Sequence, residues 1–372
     1  MKRPLTLLLV IVFTLSSVRA APQPALISPS AILMERDSGE IIYSKDADKK
    51  LPPASVTKVM TLLLVMESID SKQISYDDIV TVSEHAASMG GSQVFLKAGE
   101  QMSVRDLLKA TIIASGNDSA VALAEHISGS EEAFIDKMNK RAAELGMIST
   151  TFKNCTGLDC EGHVTSAHDI AIMSRELIKH DGIKDFTTIW TDSLRNGEFQ
   201  LANTNKLIRT YKGITGLKTG STSVAKFCLS ATAERDGMEL IAEILAGPTS
   251  KDRFSDASAL LDFGFANYTL HNCEKELSFS PVPVILGKED SVPLSLAASP
   301  ATLITKEEKA NIKTEIELPS EIKAPVEKGQ KIGCIKILNK DTVINEIPIV
   351  AQKSINKLTV GEIFMKIASA IF

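Results

Sequence analysis

The chain has 372 residues, 41 lysines and arginines against 46 aspartates and glutamates, a net charge of −5, and 44% apolar residues. This composition can fill a large core and excludes a disordered, collagen-like or disulfide-scaffold protein; at about 150 residues per domain it leaves room for roughly two domains. Net negative charge without a basic run argues against a nucleic-acid partner.

Residues 1–20, MKRPLTLLLVIVFTLSSVRA, set Lys2 and Arg3 ahead of an apolar run from Leu5 to Leu15 and end on Val18 and Ala20. This predicts a secretory signal cleaved after Ala20, since the run is short for a membrane span. Cleavage removes Lys2, Arg3 and Arg19 and makes the remaining chain more acidic. Next, AILMERDSGEIIYSKDAD predicts a β-hairpin over Ala31–Arg36 and Glu40–Ser44, turning at Asp37-Ser38-Gly39. In LPPASVTKVMTLLLVMESI, prolines followed by apolar residues on every face predict a buried helix opening near Ser55. A loop-rich stretch, MGGSQVFLKAGEQMS, leads to two helical segments, VRDLLKATIIA and SAVALAEHI, with Ser115-Gly116-Asn117-Asp118 breaking the pattern between them. FIDKMNKRAAELG and AHDIAIMSRELIKH read as further amphipathic helices.

From about Leu217 the period changes to that of strands: LKTG, KFCLSATAERDG and MELIAEILAG, followed by a helix in DRFSDASALLDFGF. Helices, then consecutive strands, then a helix predict an α+β domain ending near Tyr268. Beyond Cys273, short β-like runs and scattered prolines predict a second, β-rich domain. The last fifteen residues, LTVGEIFMKIASAIF, gather Thr359, Glu362, Lys366 and Ser369 on one helical face and apolar residues on the rest. The periodicity fits a helix lying in a membrane interface, with Lys353, Lys357 and Lys366 toward anionic headgroups, as well as one docked on its own domain.

Five cysteines leave at least one without an intrachain partner; Cys155 and Cys160 bridge only if their loop folds back. CTGLDCEGH lacks the spacing of a zinc site, no metal or cofactor is expected, and His163 and His168 read as loop and helix residues. Met60 and Met66 read as core residues and Trp190 as a packing anchor.

Three short patterns carry chemistry. In Ser55-Val56-Thr57-Lys58, helical spacing brings the Lys58 amine to the Ser55 hydroxyl, and a lysine acts as base only where burial or a neighbouring cation lowers its pKa. The same spacing recurs at Ser223/Lys226, Ser320/Lys323 and Ser354/Lys357; Ser55 differs in opening a buried helix. In Ser115-Gly116-Asn117, a hydroxyl can relay a proton and a carboxamide can hold a substrate amide and the lysine in register, although a capping loop has the same look. In Lys218-Thr219-Gly220, a strand would offer a fixed positive charge and a hydroxyl to a carboxylate, while Gly220 lets another chain lie against the strand edge. The backbone N–H groups of Ser221 and Ser55 would then form an oxyanion hole.

Together and in this order, the three patterns match the S-x-x-K, S-D-N and K-T-G set, with Gly116 in the middle position. The chain resembles the low-molecular-mass penicillin-binding proteins that are serine-type D-alanyl-D-alanine carboxypeptidases. PPASVTKVMT, MGGSQVFLKAGE, LLKATIIASGNDSAVALAEHI, NTNKLIRTYKGITGLKTGST and RFSDASALLDFGF extend the likeness over roughly Ala31 to Tyr268. It implies an α+β, β-lactamase/DD-peptidase-like catalytic domain, an antiparallel sheet with helices. A small β-rich domain and a C-terminal amphipathic helix follow. The expected division is a signal at 1–20, a catalytic domain at 21–272, the β-rich domain at 273–356 and the helix at 357–372.

For the site, the resemblance implies Ser55 as nucleophile, Lys58 as general base and Ser115 as proton relay. Asn117 positions substrate, Lys218 and Thr219 take the terminal carboxylate beside Gly220, and Ser221 serves the oxyanion hole. Arg253 matches a family arginine that assists with the carboxylate. The implied partners are peptidoglycan stem peptides, β-lactams as covalent inhibitors and the outer face of the cytoplasmic membrane. A serine β-lactamase is the competing enzyme, but no E-x-x-L-N segment lies between the second and third patterns. A catalytically silent envelope-binding protein would have no need of the intact set.

Overall fold

Apolar residues alternate between two faces from the first strand onward, and each face meets its own core. The computed structural model describes residues 22–274, 277 and 279–371, so the expected signal and Phe372 lie outside the described residues. β1 (Ser30–Glu35) and β2 (Ile41–Lys45) form the expected hairpin. The longer helices that follow are α1 (Lys58–Asp70), α2 (Val104–Ile113), α3 (Asn117–Ser128), α4 (Glu131–Glu144) and α5 (Ala167–Leu177). β3 (Ile214–Thr222), β4 (Lys226–Arg235) and β5 (Met238–Gly247) then run antiparallel to one another, and α6 (Ser250–Asn267) closes the unit.

The sheet order is β2-β1-β5-β4-β3, with the N-terminal hairpin joined to β5 and β3 left as an edge. Successive side chains on a strand point to opposite faces. Leu33, Ala231, Leu240 and Ala242 pack with Leu260, Leu261 and Phe265 of α6. Ile32, Met34, Ile241 and Leu245 pack on the helical side, where α5 lies on the sheet and α1 behind it. Burial on both faces explains why MELIAEILAG shows almost no polar alternation. Residues 58–66 of α1 are all buried, including Met60 and Met66, as its all-round apolar sequence predicts.

A strand at Tyr268–Asn272 pairs with Ala301–Thr305, and the chain beyond 273 also forms a four-stranded antiparallel sheet and a small three-stranded one. Ile335, Ile337, Ile347 and Ile349 form its core with Val282, Val284 and Val292. The terminal helix, Val360–Ile371, opens on a reciprocal cap in which Thr359 N–H donates to Glu362 (2.7 Å) and Glu362 N–H to the Thr359 hydroxyl (3.3 Å). Glu362 pairs with Lys288 at 2.7 Å and Lys366 pairs with Asp290, while Val360, Phe364 and Met365 are 86%, 72% and 70% exposed. Lys353 is likewise paired, with Glu289. Two of the three lysines expected to face headgroups are therefore engaged by acidic residues of the 289–290 turn. Among the described residues, no helix is long and apolar enough to cross a membrane.

Candidate active site

Ser55 lies in a short 3₁₀ turn, Ala54–Thr57, that runs into α1 at Lys58. Ala54 has a left-handed φ of 49°, a conformation that costs a residue with a Cβ about 1–2 kcal/mol. Two glycines clear the space on which this turn settles. A Cβ on Gly220 would lie 2.8 Å from the Pro53 carbonyl oxygen and 2.9 Å from the Ser55 nitrogen. A Cβ on Gly157, where φ is +86°, would lie 1.8 Å from the Ala54 carbonyl oxygen and 2.8 Å from the Ser55 nitrogen. The chain that Gly220 admits is thus the protein's own 53–56 segment, rather than only an incoming one. Ser55 itself is half-buried, whereas Lys58 is fully buried.

The Lys58 amine lies 3.2 Å from Ser55 Oγ, 2.6 Å from Asn117 Oδ1 and 2.7 Å from the Thr156 carbonyl oxygen. Burial pushes its pKa down to about 7, against a smaller opposing pull from the Asp118 carboxylate. A neutral amine has two N–H bonds and one lone pair. Asn117 and Thr156 accept the two hydrogens, which leaves the lone pair directed at the Ser55 hydroxyl. The helix spacing brought Lys58 to Ser55; the two oxygens orient it.

Asn117 opens α3 two residues after Ser115, whose φ of 62° is the break in the helical pattern. Its amide also donates to the Gly90 carbonyl (2.7 Å), and Asp118 accepts from the N–H groups of Val94 (3.0 Å) and Leu96 (3.1 Å). The glycine-containing stretch at 90–96 is fastened to the start of α3 by these contacts.

Ser115 Oγ accepts from Lys218 Nζ at 2.8 Å, which joins the second pattern to the third. Lys218 also donates to the Thr219 carbonyl (2.9 Å), and Thr219 Oγ1 donates to Thr204 Oγ1 (2.7 Å). Burial first, then the positive charges of Lys58 and Arg253, hold Lys218 well below the usual lysine range. The charge expected to be fixed is therefore conditional, and a carboxylate arriving beside it would favour the ammonium form. Ser221 is exposed on the edge strand.

Arg253, in the first turn of α6, is buried and donates through Nη1 to the carbonyls of Gly220 (2.9 Å) and Cys228 (3.2 Å), a cross-strand pair. Phe227 and Phe254 flank the guanidinium, and burial lowers its pKa to about 10. Arg253 thus braces β3 against β4 through its Nη1.

His163 is a buried brace of the nucleophile turn: its ring bonds Thr57 Oγ1 (2.7 Å) and accepts the Lys153 N–H (2.9 Å). Burial lowers its pKa to about 4, so the ring stays neutral. Cys155 is buried, Cys160 is exposed, and neither is bridged. Trp190 carries the Arg209 guanidinium over its ring at 5.2 Å. A groove of about 380 Å³ is lined in part by Pro52, Ala54, Gly157, Cys160 and Val224, and none of Ser55, Lys58, Ser115, Asn117, Lys218 or Thr219 lines it. The sequence reading missed Thr156, Gly157 and Thr204; Gly157 alone left a signal, as a glycine between two cysteines.

A family model described as D-alanyl-D-alanine carboxypeptidase matches residues 17–249, and one described as penicillin-binding protein 5, C-terminal domain, matches residues 265–357. The chain is 45% identical over 334 residues to the D-alanyl-D-alanine carboxypeptidase DacF of Bacillus subtilis, covering 88% of this chain and 86% of the relative. The solved penicillin-binding protein 5 of Haemophilus influenzae superposes with a TM-score of 0.80 at 30% identity, covering 91% of this chain and all of that one. Penicillin-binding protein D2 of Listeria monocytogenes, solved in an ampicillin-bound form, superposes with a TM-score of 0.60 at 33% identity, covering 66% and 100%. Similarity along both units, joined to a buried amine aimed at an accessible serine, means that the chain belongs to the D-alanyl-D-alanine carboxypeptidase family.

Proposed function

We propose that the protein removes the terminal D-alanine from peptidoglycan stem pentapeptides through an acyl-enzyme on Ser55. The observation that carries this is the neutral-range Lys58 amine, with two hydrogens taken by Asn117 and Thr156 and its lone pair free for Ser55. Ser55 Oγ attacks the carbonyl between the two D-alanines and its proton passes to Lys58. The N–H groups of Ser55 and Ser221 hold the oxyanion. As the C–N bond breaks, Lys58 gives that proton through Ser115 to the leaving nitrogen, Lys58 is neutral again and D-alanine departs. Water then attacks the ester, gives a proton to Lys58, and the C–O bond to Ser55 breaks with return of the hydroxyl proton. Lys218 and Thr219 hold the substrate carboxylate, with Arg253 behind the strand.

The catalytic unit at 21–272 and the β-rich unit at 273–356 act outside the cytoplasmic membrane after removal of residues 1–20. The segment 357–372 lies on that membrane, with Glu362 and Lys366 paired to Lys288 and Asp290 and with Val360, Phe364 and Met365 exposed toward it. Lys353 and Lys366 are already paired, so binding rests on apolar burial and is expected to survive high salt. Vesicle flotation checks this: removal of 357–372 is expected to abolish binding and leave D-alanine release intact, and undiminished binding would refute it.

The activity is tested by D-alanine release from a diacyl-D-Ala-D-Ala peptide and by mass spectrometry after penicillin treatment. One acyl adduct, located on Ser55, is expected. No release, an adduct elsewhere, or rapid multiple turnover of a chromogenic cephalosporin would overturn the reading, the last in favour of a β-lactamase.

A further inference from the structure

We infer that Glu131 is a positioning residue of the active site, acting on Lys58 and on the Ser55 backbone through the turn at 154–158. This rests on the reading of Lys58 as the base.

Two of the features that define the site come from that turn. The Thr156 carbonyl takes one hydrogen of the Lys58 amine, and Gly157 presses against the Ala54 carbonyl and the Ser55 nitrogen. A displacement of the turn therefore disturbs the base and the oxyanion donor together. Inside the turn, Asn154 Oδ1 accepts from the Gly157 N–H (2.6 Å) and the Thr156 hydroxyl (3.1 Å), while Asn154 Nδ2 donates to the Leu158 carbonyl (2.9 Å). These bonds give the turn its shape but not its location, because all of them are internal to it.

Location comes from Cys155, the residue between. Its carbonyl accepts from Thr61 Oγ1 (2.7 Å), one turn of α1 beyond Lys58, and its N–H donates to Glu131 Oε1 (3.1 Å). Glu131 is the first residue of α4, 8% exposed, and its second oxygen bonds His85 Nε2 at 2.8 Å. One carboxylate thus ties the turn to α4 and to a surface histidine, on the side away from the substrate. Burial, followed by the nearby Glu131 carboxylate, pushes the Cys155 thiol well up, so a neutral S–H fills the space beside Lys58. A buried N–H whose acceptor is removed costs about 1–3 kcal/mol, and a turn free to move can recover it only by shifting.

The test measures kcat and KM for D-alanine release in the wild type and in Glu131→Ala, Glu131→Gln and Glu131→Asp, each checked for folding by thermal melting. Glu131→Ala is expected to lower kcat about tenfold with KM within about twofold, since a 1 Å misplacement can cost about 100-fold and Thr61 still holds part of the turn. Glu131→Gln keeps an oxygen for the Cys155 N–H and is expected to restore kcat to within about threefold of the wild type. If Glu131→Ala does not fold, Glu131→Asp carries the test: its shorter side chain is expected to lower kcat and leave KM unchanged. Wild-type kcat in folded Glu131→Ala or Glu131→Asp overturns the inference. So does a folded Glu131→Gln as impaired as Glu131→Ala, or a KM that moves in step with kcat. A wild type that neither releases D-alanine nor takes penicillin overturns the reading of Lys58 itself, and this inference with it.

Discussion

Ser55→Ala is expected to leave a folded protein that takes no penicillin adduct and whose kcat for D-alanine release falls by roughly 10⁶-fold, the scale seen when a serine nucleophile is removed. Neither Ser115 nor Ser223 is placed to substitute. Ser115 is bonded to Lys218, and Ser223, which shares the three-residue spacing to a lysine, is exposed in the turn just after β3. The turn carrying Ser55 is held by Thr57, His163, Gly157 and Gly220, none of which requires the hydroxyl, so stability is expected to change little. Intact-protein mass spectrometry checks the result: an adduct on the variant at the wild-type rate would assign the nucleophile elsewhere.

Lys58 carries the second large effect. In the wild type, penicillin acylation is expected to rise with pH through about 7 and level off above it. Below that value the buried amine holds a third proton and has no lone pair for Ser55; above it the amine is neutral and the base is present. Lys58→Met fills nearly the same volume without a base and is expected to lower acylation about 10²–10⁴-fold while removing the rise near pH 7. Methionine also leaves Asn117 Oδ1 and the Thr156 carbonyl without their donor. Acylation rates across pH 5 to 9 check both points. A wild-type profile flat through pH 7, or an unchanged profile in Lys58→Met, would refute Lys58 as the base.

What the sequence makes legible is local. Ser55 and Lys58 are three residues apart on a helix whose apolar composition announces burial, so nucleophile and lowered lysine are read from one segment. The triplets at Ser115 and Lys218 carry enough type and spacing to be recognised, and strand-forming runs mark β1, β2, β4 and β5 within a residue or two, while β3 begins at Ile214, three residues ahead of the expected Leu217. Hidden from the sequence are contacts made by backbone atoms of a distant segment. Any residue type can present the carbonyl that Thr156 gives to Lys58, and nothing near Glu131 states that it will meet Cys155. Gly220 shows the same limit in another form: its identity is plain, but its neighbour across space is Pro53, 167 positions earlier. The terminal helix was legible as amphipathic, whereas the pairing of Lys353 and Lys366 with the 289–290 turn required the fold of a domain some 70 residues upstream.

The sheet order carries a consequence for time. β1 and β2 head the described chain, yet β1 finds its second neighbour only in β5. Roughly 200 residues separate the two, an interval of about 10–40 s at the ~5–20 residues per second of ribosomal synthesis. A two-stranded hairpin is marginal alone in water. The domain therefore cannot close its sheet early, and its first apolar strand stays uncommitted until nearly all of the domain has been made. For a chain proposed to cross a membrane before folding, that delay keeps it threadable, and it makes the emerging hairpin the segment most in need of a holding chaperone.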